Sequence, residues 1–404
     1  MNVIISKRKI LFYIFLLAFL FSTFLYHPIQ KFIGFTYMDE LVMLVLLIPL
    51  CARLQRRKIE KDSLAFLGFV CVYIFFLLYS LFFGVNTKTA ILTDAVIFLK
   101  PFVGFFAVMN LNFEFTNGQR KFLSRTALVC AIATLVVALS GLKTMVYFYT
   151  HPAAVAMNVS CFSMLYLIMS EGTKKNIWIG LGILAIGLLT ERSKNYGFVC
   201  IAFFLLLYGK KLKFNLFSII LLLSAVCLGL YVSWEKIFFY YVAPLQRNAV
   251  YNTDAARLAL FAYGFRVLVD YFPLGPGFGS FGSFASALYY SPIYLQYKLF
   301  LVHGLDKDGS FICDIFFPQL AQFGIVGILL FFFFWCQILK KLKRTYEVLD
   351  NDLHYKCGIL IICFFVIESV AASTFVQPQG MFMMMLLGML TKGDNCNQRR
   401  LMVD

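Results

Sequence analysis

The sequence predicts an all-α polytopic membrane protein of about twelve transmembrane helices with one large loop outside the bilayer. Three observations carry that expectation. The 404 residues are 61% hydrophobic, 18% aromatic and only 14% charged, with a mean hydropathy of +0.82, which excludes a soluble class. Apolar windows of roughly spanning length recur along the chain. The basic residues cluster in alternate connectors, as they do where lysine and arginine set membrane orientation.

The windows fall near residues 10–27, 36–52, 64–83, 89–109, 126–142, 153–170, 177–190, 196–209, 214–232, 313–338, 357–374 and 380–391. The first follows Lys7-Arg8-Lys9 and has the outline of a signal peptide, but no small-residue cleavage site follows between Phe24 and Lys31, so a retained span is expected. Residues 1–232 then hold nine helices, 233–312 form the large loop, 313–391 hold three more helices and 392–404 are a tail.

With the N-terminus inside, the cytoplasmic connectors collect 24 of the 36 basic residues, against 11 outside and Lys100 within a span. Two to one over short loops orients the chain with both termini in the cytoplasm. The formal charge of +16 is thus mostly a topology signal, and it calls for no nucleic-acid partner. Eleven cysteines stand singly with no CxxC pair, and the four histidines lie far apart in sequence; neither pattern suits a metal.

Several polar residues at membrane depth need an account. Asp39 and Glu40 open the second span, where they either cap the helix against its dipole or one of them orients an arginine at an exterior site. Asp94 and Lys100 share the fourth span, but six residues turn their side chains about 120° apart, so each is expected to find a partner on another helix. His151-Pro152 starts the sixth span, with proline in its favoured first-turn position. Between spans seven and eight, Thr190-Glu191-Arg192-Ser193-Lys194-Asn195 puts two cations on the outer side, against the charge rule, between two helices short for a bilayer. Short interrupted helices mark sites at membrane depth. An anion-binding role for Arg192, supported by Lys194, stands beside the plainer reading of a polar turn.

The large loop cannot span. Asn252 to Val269 reads as a helix, with Asp254–Arg257 at i,i+3 and Arg266–Asp270 at i,i+4. Arg257 and Arg266 are nine residues apart and point about 180° from each other on an unbroken helix, so Arg266 is the more structural of the two. Pro273 to Gly282 contains Gly275, Gly277 and Gly279. No strand precedes this run and it makes no dinucleotide fingerprint; it is either a backbone surface for phosphate or sugar or a close-packed turn. Asp308 and Asp314 flank the last stretch before the tenth span, and Glu368, Gln377 and Gln379 lie at the outer ends of the last two.

The order of ERSK, then ARLALFAYGFRVLVDYFPLGPGFGSFGSF from Ala256, YSPIY from Tyr290 and CDIFFPQLAQFGIVG from Cys313 resembles the bacterial O-antigen polymerase and O-antigen ligase superfamily. The motifs cover residues 185–335. The resemblance implies a GT-C-like architecture in the bacterial inner membrane and metal-independent, cofactor-free glycosyl transfer from undecaprenyl-diphosphate-linked sugars at its outer face. Donor and acceptor glycans and the bilayer are the implied partners; a chain-length regulator stays open. Ligases of that superfamily commonly carry a histidine–asparagine pair before a GxxG, where this chain has Cys313-Asp314 upstream of Gly324 and Gly327. The departure favours a polymerase, with a ligase or, from another class, a lipid-linked oligosaccharide flippase as alternatives.

Such a reaction displaces a diphosphate from an anomeric carbon with a sugar hydroxyl. Guanidinium groups hold phosphate oxygens and stay charged at membrane depth, which assigns Arg192, Lys194, Arg257 and Arg266 to the diphosphate. A carboxylate within reach of the hydroxyl takes its proton, for which Asp314 is the first candidate and Asp308 the second. Tyr290 and Tyr294 offer faces for sugar rings, although anchoring at the membrane interface explains tyrosines equally well.

Overall fold

The computed structural model describes residues 7–34, 36–54, 61–111, 113–207 and 256–392, with isolated positions between 231 and 242. Every regular element among these residues is a helix. In order come α1 (Lys7–Ser22), α2 (Tyr26–Ile33), α3 (Met38–Leu54), α4 (Lys61–Phe83), α5 (Lys88–Leu111), α6 (Asn117–Leu139), α7 (Leu142–Tyr149), α8 (Pro152–Met169), α9 (Lys174–Ile186) and α10 (Ser193–Leu207). After the gap follow α11 (Ala256–Asp270), α12 (Phe284–Leu288), α13 (Pro292–Gln296), α14 (Phe316–Gln319), α15 (Gly324–Leu349), α16 (Asp352–Ala371) and α17 (Pro378–Leu390).

Six of the described helices are long and apolar enough to cross a bilayer, or seven if α1 and α2, bent by 65°, form one broken span. α10 and α17 are apolar but shorter. The expected span at 214–232 lies outside the described residues. This is a membrane-embedded helical protein. Its centre is α5, α8 and α17, of which α8 has 94% of its apolar window buried and α17 is buried along nearly its whole length. α4 and α15 line the periphery and turn most of their apolar surface to lipid.

Two expected boundaries move. The fifth span starts at Asn117, nine residues before the hydropathy window, because Thr116 and Gln119 close a capping box there. The first turns then carry Arg120, Lys121 and Arg125, whose long stems reach back to water. The tenth span, expected over 313–338, runs from Phe316 to Leu349, and it is broken at Gly324, where a short α-turn and a 3-10 turn over Phe316 to Phe323 give way to α15. The break is enforced by contact. Gly324 has φ +60 and faces Gly275 (φ +76), each so close that a Cβ on either would lie 2.4 Å from the other's amide nitrogen.

The described part of the large loop, from Ala256, folds into a cap with a core of its own, formed by Leu260, Phe281, Ile293, Tyr294, Val302, Ile312 and Ile315 among others. Its glycine run is the joint between cap and bundle. Gly277 N–H donates to Gln322 O (2.9 Å), Phe278 N–H to Ser80 Oγ (2.9 Å), Gly279 N–H to Asp94 Oδ2 (2.8 Å) and Gly282 N–H to Tyr294 Oη (2.8 Å). The Asn86 side chain donates to Gly279 O at 2.6 Å. Buried backbone amides must be paired, and here protein atoms pair them. Of the two readings of the run, the close-packed turn is the one this geometry fits.

The charges at depth separate as helical spacing requires. Asp94 is fully buried against the cap, whereas Lys100 turns to α3, pairing with Asp39 and, at 3.0 Å, with Glu40. Asp39 and Glu40 therefore serve a lysine rather than an arginine.

Candidate functional site

The polar residues at one end of the bundle converge from four separate pieces of chain. His151 is the N-cap of α8; its Nδ1 accepts the Ala153 N–H at 3.1 Å, and Pro152 occupies the first helical position. The turn between α9 and α10 supplies the next members. The 3-10 turn Gly187–Thr190 ends in Glu191 with φ +53, and the reversed chain enters α10 with Arg192 O accepting the Asn195 N–H at 2.9 Å. Arg192 Nη2 then lies 3.1 Å from His151 Nε2. Lys194 donates to Glu368 Oε2 near the end of α16 at 2.7 Å, and Thr374 Oγ1 donates to the same oxygen at 2.8 Å.

The cap contributes the remaining pair. Arg257, at the start of α11, contacts one oxygen of Asp314, with Nε at 2.9 Å and Nη2 at 2.5 Å from Oδ2. Ser373 Oγ donates to Cys313 O at 2.8 Å, which fixes this strand of the cap to the α16–α17 turn. The two pairs belong to one electrostatic neighbourhood, because His151 senses charges from both. Partial burial, then Arg192 and Lys194, hold its pKa below the ordinary histidine range, and Asp314 opposes them. Burial, reinforced by Asp314, pushes the Cys313 thiol up, leaving it protonated and unsuited to be a nucleophile.

A neutral imidazole has one proton and accepts at only one nitrogen, so His151 does not accept from the Ala153 amide at Nδ1 and from Arg192 at Nε2 at once, and the tautomer decides which of these contacts is a hydrogen bond. In the tautomer with the proton on Nε2, His151 and Arg192 are two donors to an oxygen set between them. Arg192, Lys194 and Arg257 share this neighbourhood with Asp314, Glu368 and, beside Arg192 in the turn, Glu191.

Other sequence-selected residues lie elsewhere. Arg266 is 65% exposed, pairs with Asp270 at 3.6 Å and lies over the Tyr297 ring; α11 is unbroken at Gly264, so Arg266 diverges from Arg257 as nine residues of helix require. Asp308 is exposed in a turn, its amide donating to Asp306 Oδ1, and none of the contacts that build the cluster runs through it. Tyr294 is fully buried, with its hydroxyl engaged by Gly282 N–H and Ser286 Oγ, and Tyr290 donates to Leu305 O. These tyrosines hold the cap together in this conformation. Gly275, Gly277 and Gly279 form the joint described above.

The residue that sequence reasoning set aside is His151. Its signal was faint: a histidine before a helix-starting proline, with nothing in sequence to connect it to a turn forty residues on. Among the described residues no group of histidine, cysteine and carboxylate side chains is arranged to hold a metal ion.

Searched against models of known families, the chain matches none, and no curated protein is similar to it.

Proposed function

We propose that this chain is a polysaccharide polymerase, a metal-independent glycosyltransferase. It joins undecaprenyl-diphosphate-linked oligosaccharide repeats into O-antigen, capsular or exopolysaccharide at the periplasmic face of the bacterial inner membrane. The reading includes a twelve-span, GT-C-like architecture with both termini cytoplasmic. The observation that carries it is the paired donors of His151 and Arg192, flanked by Lys194 and by Arg257, at the end of the bundle under the cap. That is the arrangement a lipid-linked diphosphate would fill.

In the proposed reaction a hydroxyl of the acceptor glycan attacks the anomeric carbon of the donor. The new C–O bond forms as the bond to the diphosphate breaks, and its electron pair leaves with the diphosphate. The hydroxyl proton passes to the Asp314 carboxylate, which Arg257 holds in place. Negative charge grows on the departing phosphate, where Arg192, Lys194, the donors of Arg257 not held by Asp314 and His151 Nε2–H meet it; preorganised donors at such a point are the largest contribution to rate. Asp308 has no part in this scheme, and Arg266 acts in the cap.

The histidine of the cluster comes from α8 and not from the Cys313-Asp314 position, so it does not restore the ligase reading. Glycan analysis of cells lacking the chain tests the proposal. Single repeats accumulating on the lipid at the outer face support it. Full-length polymer left on undecaprenyl diphosphate indicates a ligase, and single repeats retained at the cytoplasmic face indicate a flippase.

A further inference from the structure

A groove of about 490 Å³ runs between α4, α5 and α15, away from the cluster just described. Its walls are almost wholly apolar and rich in phenylalanine, with Phe69, Phe98, Phe102 and Phe334 along its length. Along α15 it extends from the Phe323 side to Lys341, which is about 27 Å at 1.5 Å per residue. The helices on either side face lipid, since only 17% of the α4 window and 22% of the α15 window are buried. Whatever fills the groove therefore enters from the hydrocarbon of the bilayer, and its apolar walls suit a flexible hydrocarbon chain.

The charge at its end selects the head group. Lys341 is the one ionised side chain in the lining, and its ammonium lies 3.2 Å from Met109 Sδ. Lys340, Lys343 and Arg344 stand exposed on the same turns of α15, with Glu347 4.0 Å from Lys343. Hydrocarbon walls that terminate at a basic cluster complement a molecule with a long apolar tail and an anionic head. A neutral or zwitterionic head gains much less there.

We propose that this groove is a binding site for an anionic phospholipid of the surrounding membrane. One acyl chain lies along the phenylalanine wall and the phosphate sits at Lys341. The site is independent of the proposed glycosyl transfer, and its test needs no activity.

Native mass spectrometry of the full-length purified chain, given phosphatidylglycerol and phosphatidylcholine with matched acyl chains, reads the site directly. Phosphatidylglycerol is expected to be retained in preference, by about fivefold, the scale of one cation at a membrane surface. Lys341→Gln removes that preference and leaves the phosphatidylcholine signal unchanged. Gly68→Phe is the second variant: Gly68 lines the groove and has open space where its Cβ would stand, so the ring fills the groove without a clash at the backbone. It lowers retention of both lipids while the melting temperature holds. Equal retention of the two lipids by the unaltered chain overturns the proposal, as does full phosphatidylglycerol retention by Gly68→Phe. A polyprenyl phosphate that displaces phosphatidylglycerol equally well from the unaltered chain and from Lys341→Gln also overturns it, because the occupant is then an isoprenoid recognised by its tail.

Discussion

At the scale of the residue, the ion pairs of the cluster tie its charges to the fold. Glu368 is buried and Lys194 nearly so, with side-chain exposures of 6% and 14%. Removing one partner strands the other, so Lys194→Met is expected to destabilise the protein by about 3 kcal/mol. Lys194→Met with Glu368→Gln recovers most of that, and a thermal-unfolding double-mutant cycle measures it. On the proposed reading Arg192 serves the reaction rather than the fold; Arg192→Ala is expected to lower polymer synthesis by about a hundredfold with unchanged membrane abundance on an immunoblot. His151 gives the pH dependence. Its folded pKa lies below the ordinary value, so the neutral ring favours the folded state. That contribution is complete above about pH 6.5 and is lost as pH falls through the depressed value. An anion shared with Arg192 reverses the balance: inorganic pyrophosphate should raise the His151 pKa, read from ring proton shifts by NMR, and no change on saturation counts against the shared-oxygen geometry.

At the scale of the element, the glycine joint decides whether cap and bundle meet. A methyl group on Gly275 would lie 2.4 Å from Gln322 O and from Gly324 N, at a φ of +76. Both positions are closed to it, and Gly275→Ala is expected to cost more than about 3 kcal/mol, seen as a loss of folded protein in detergent. The same elements show what could be read in the sequence. Hydropathy located α4, α5, α8 and α16 closely because their apolar runs are long and their ends abrupt. It misplaced the start of α6, where a capping box extends the helix past its apolar run, and it did not show the break before α15, where a glycine-to-glycine contact with a segment fifty residues earlier sets the first turn. For the site, helical spacing sufficed for the divergence of Arg257 from Arg266. It could not reach His151, whose role depends on α8 packing beside the α9–α10 turn, or Tyr294, whose burial depends on the whole cap.

At the scale of the whole molecule, the fold stacks a small polar cap on one end of an aromatic bundle. The cluster lies where the two meet, and the basic turns of α15 lie at the far end of that helix. The proposed orientation puts the cap outside the cell. In a cysteine-depleted background, a membrane-impermeant thiol reagent should label Asp308→Cys in intact cells and leave Lys343→Cys unlabelled until the membrane is opened. The reverse pattern would invert the topology and remove the periplasmic assignment. The central claim, that Arg192, His151 and Arg257 grip a lipid-borne diphosphate, is tested most directly by equilibrium binding of a radiolabelled polyprenyl diphosphate to the purified full-length chain. The account predicts at least tenfold weaker binding for Arg192→Ala and for Arg257→Ala, and unaltered binding for Arg266→Ala. Equal binding by Arg192→Ala and the unaltered chain would contradict it.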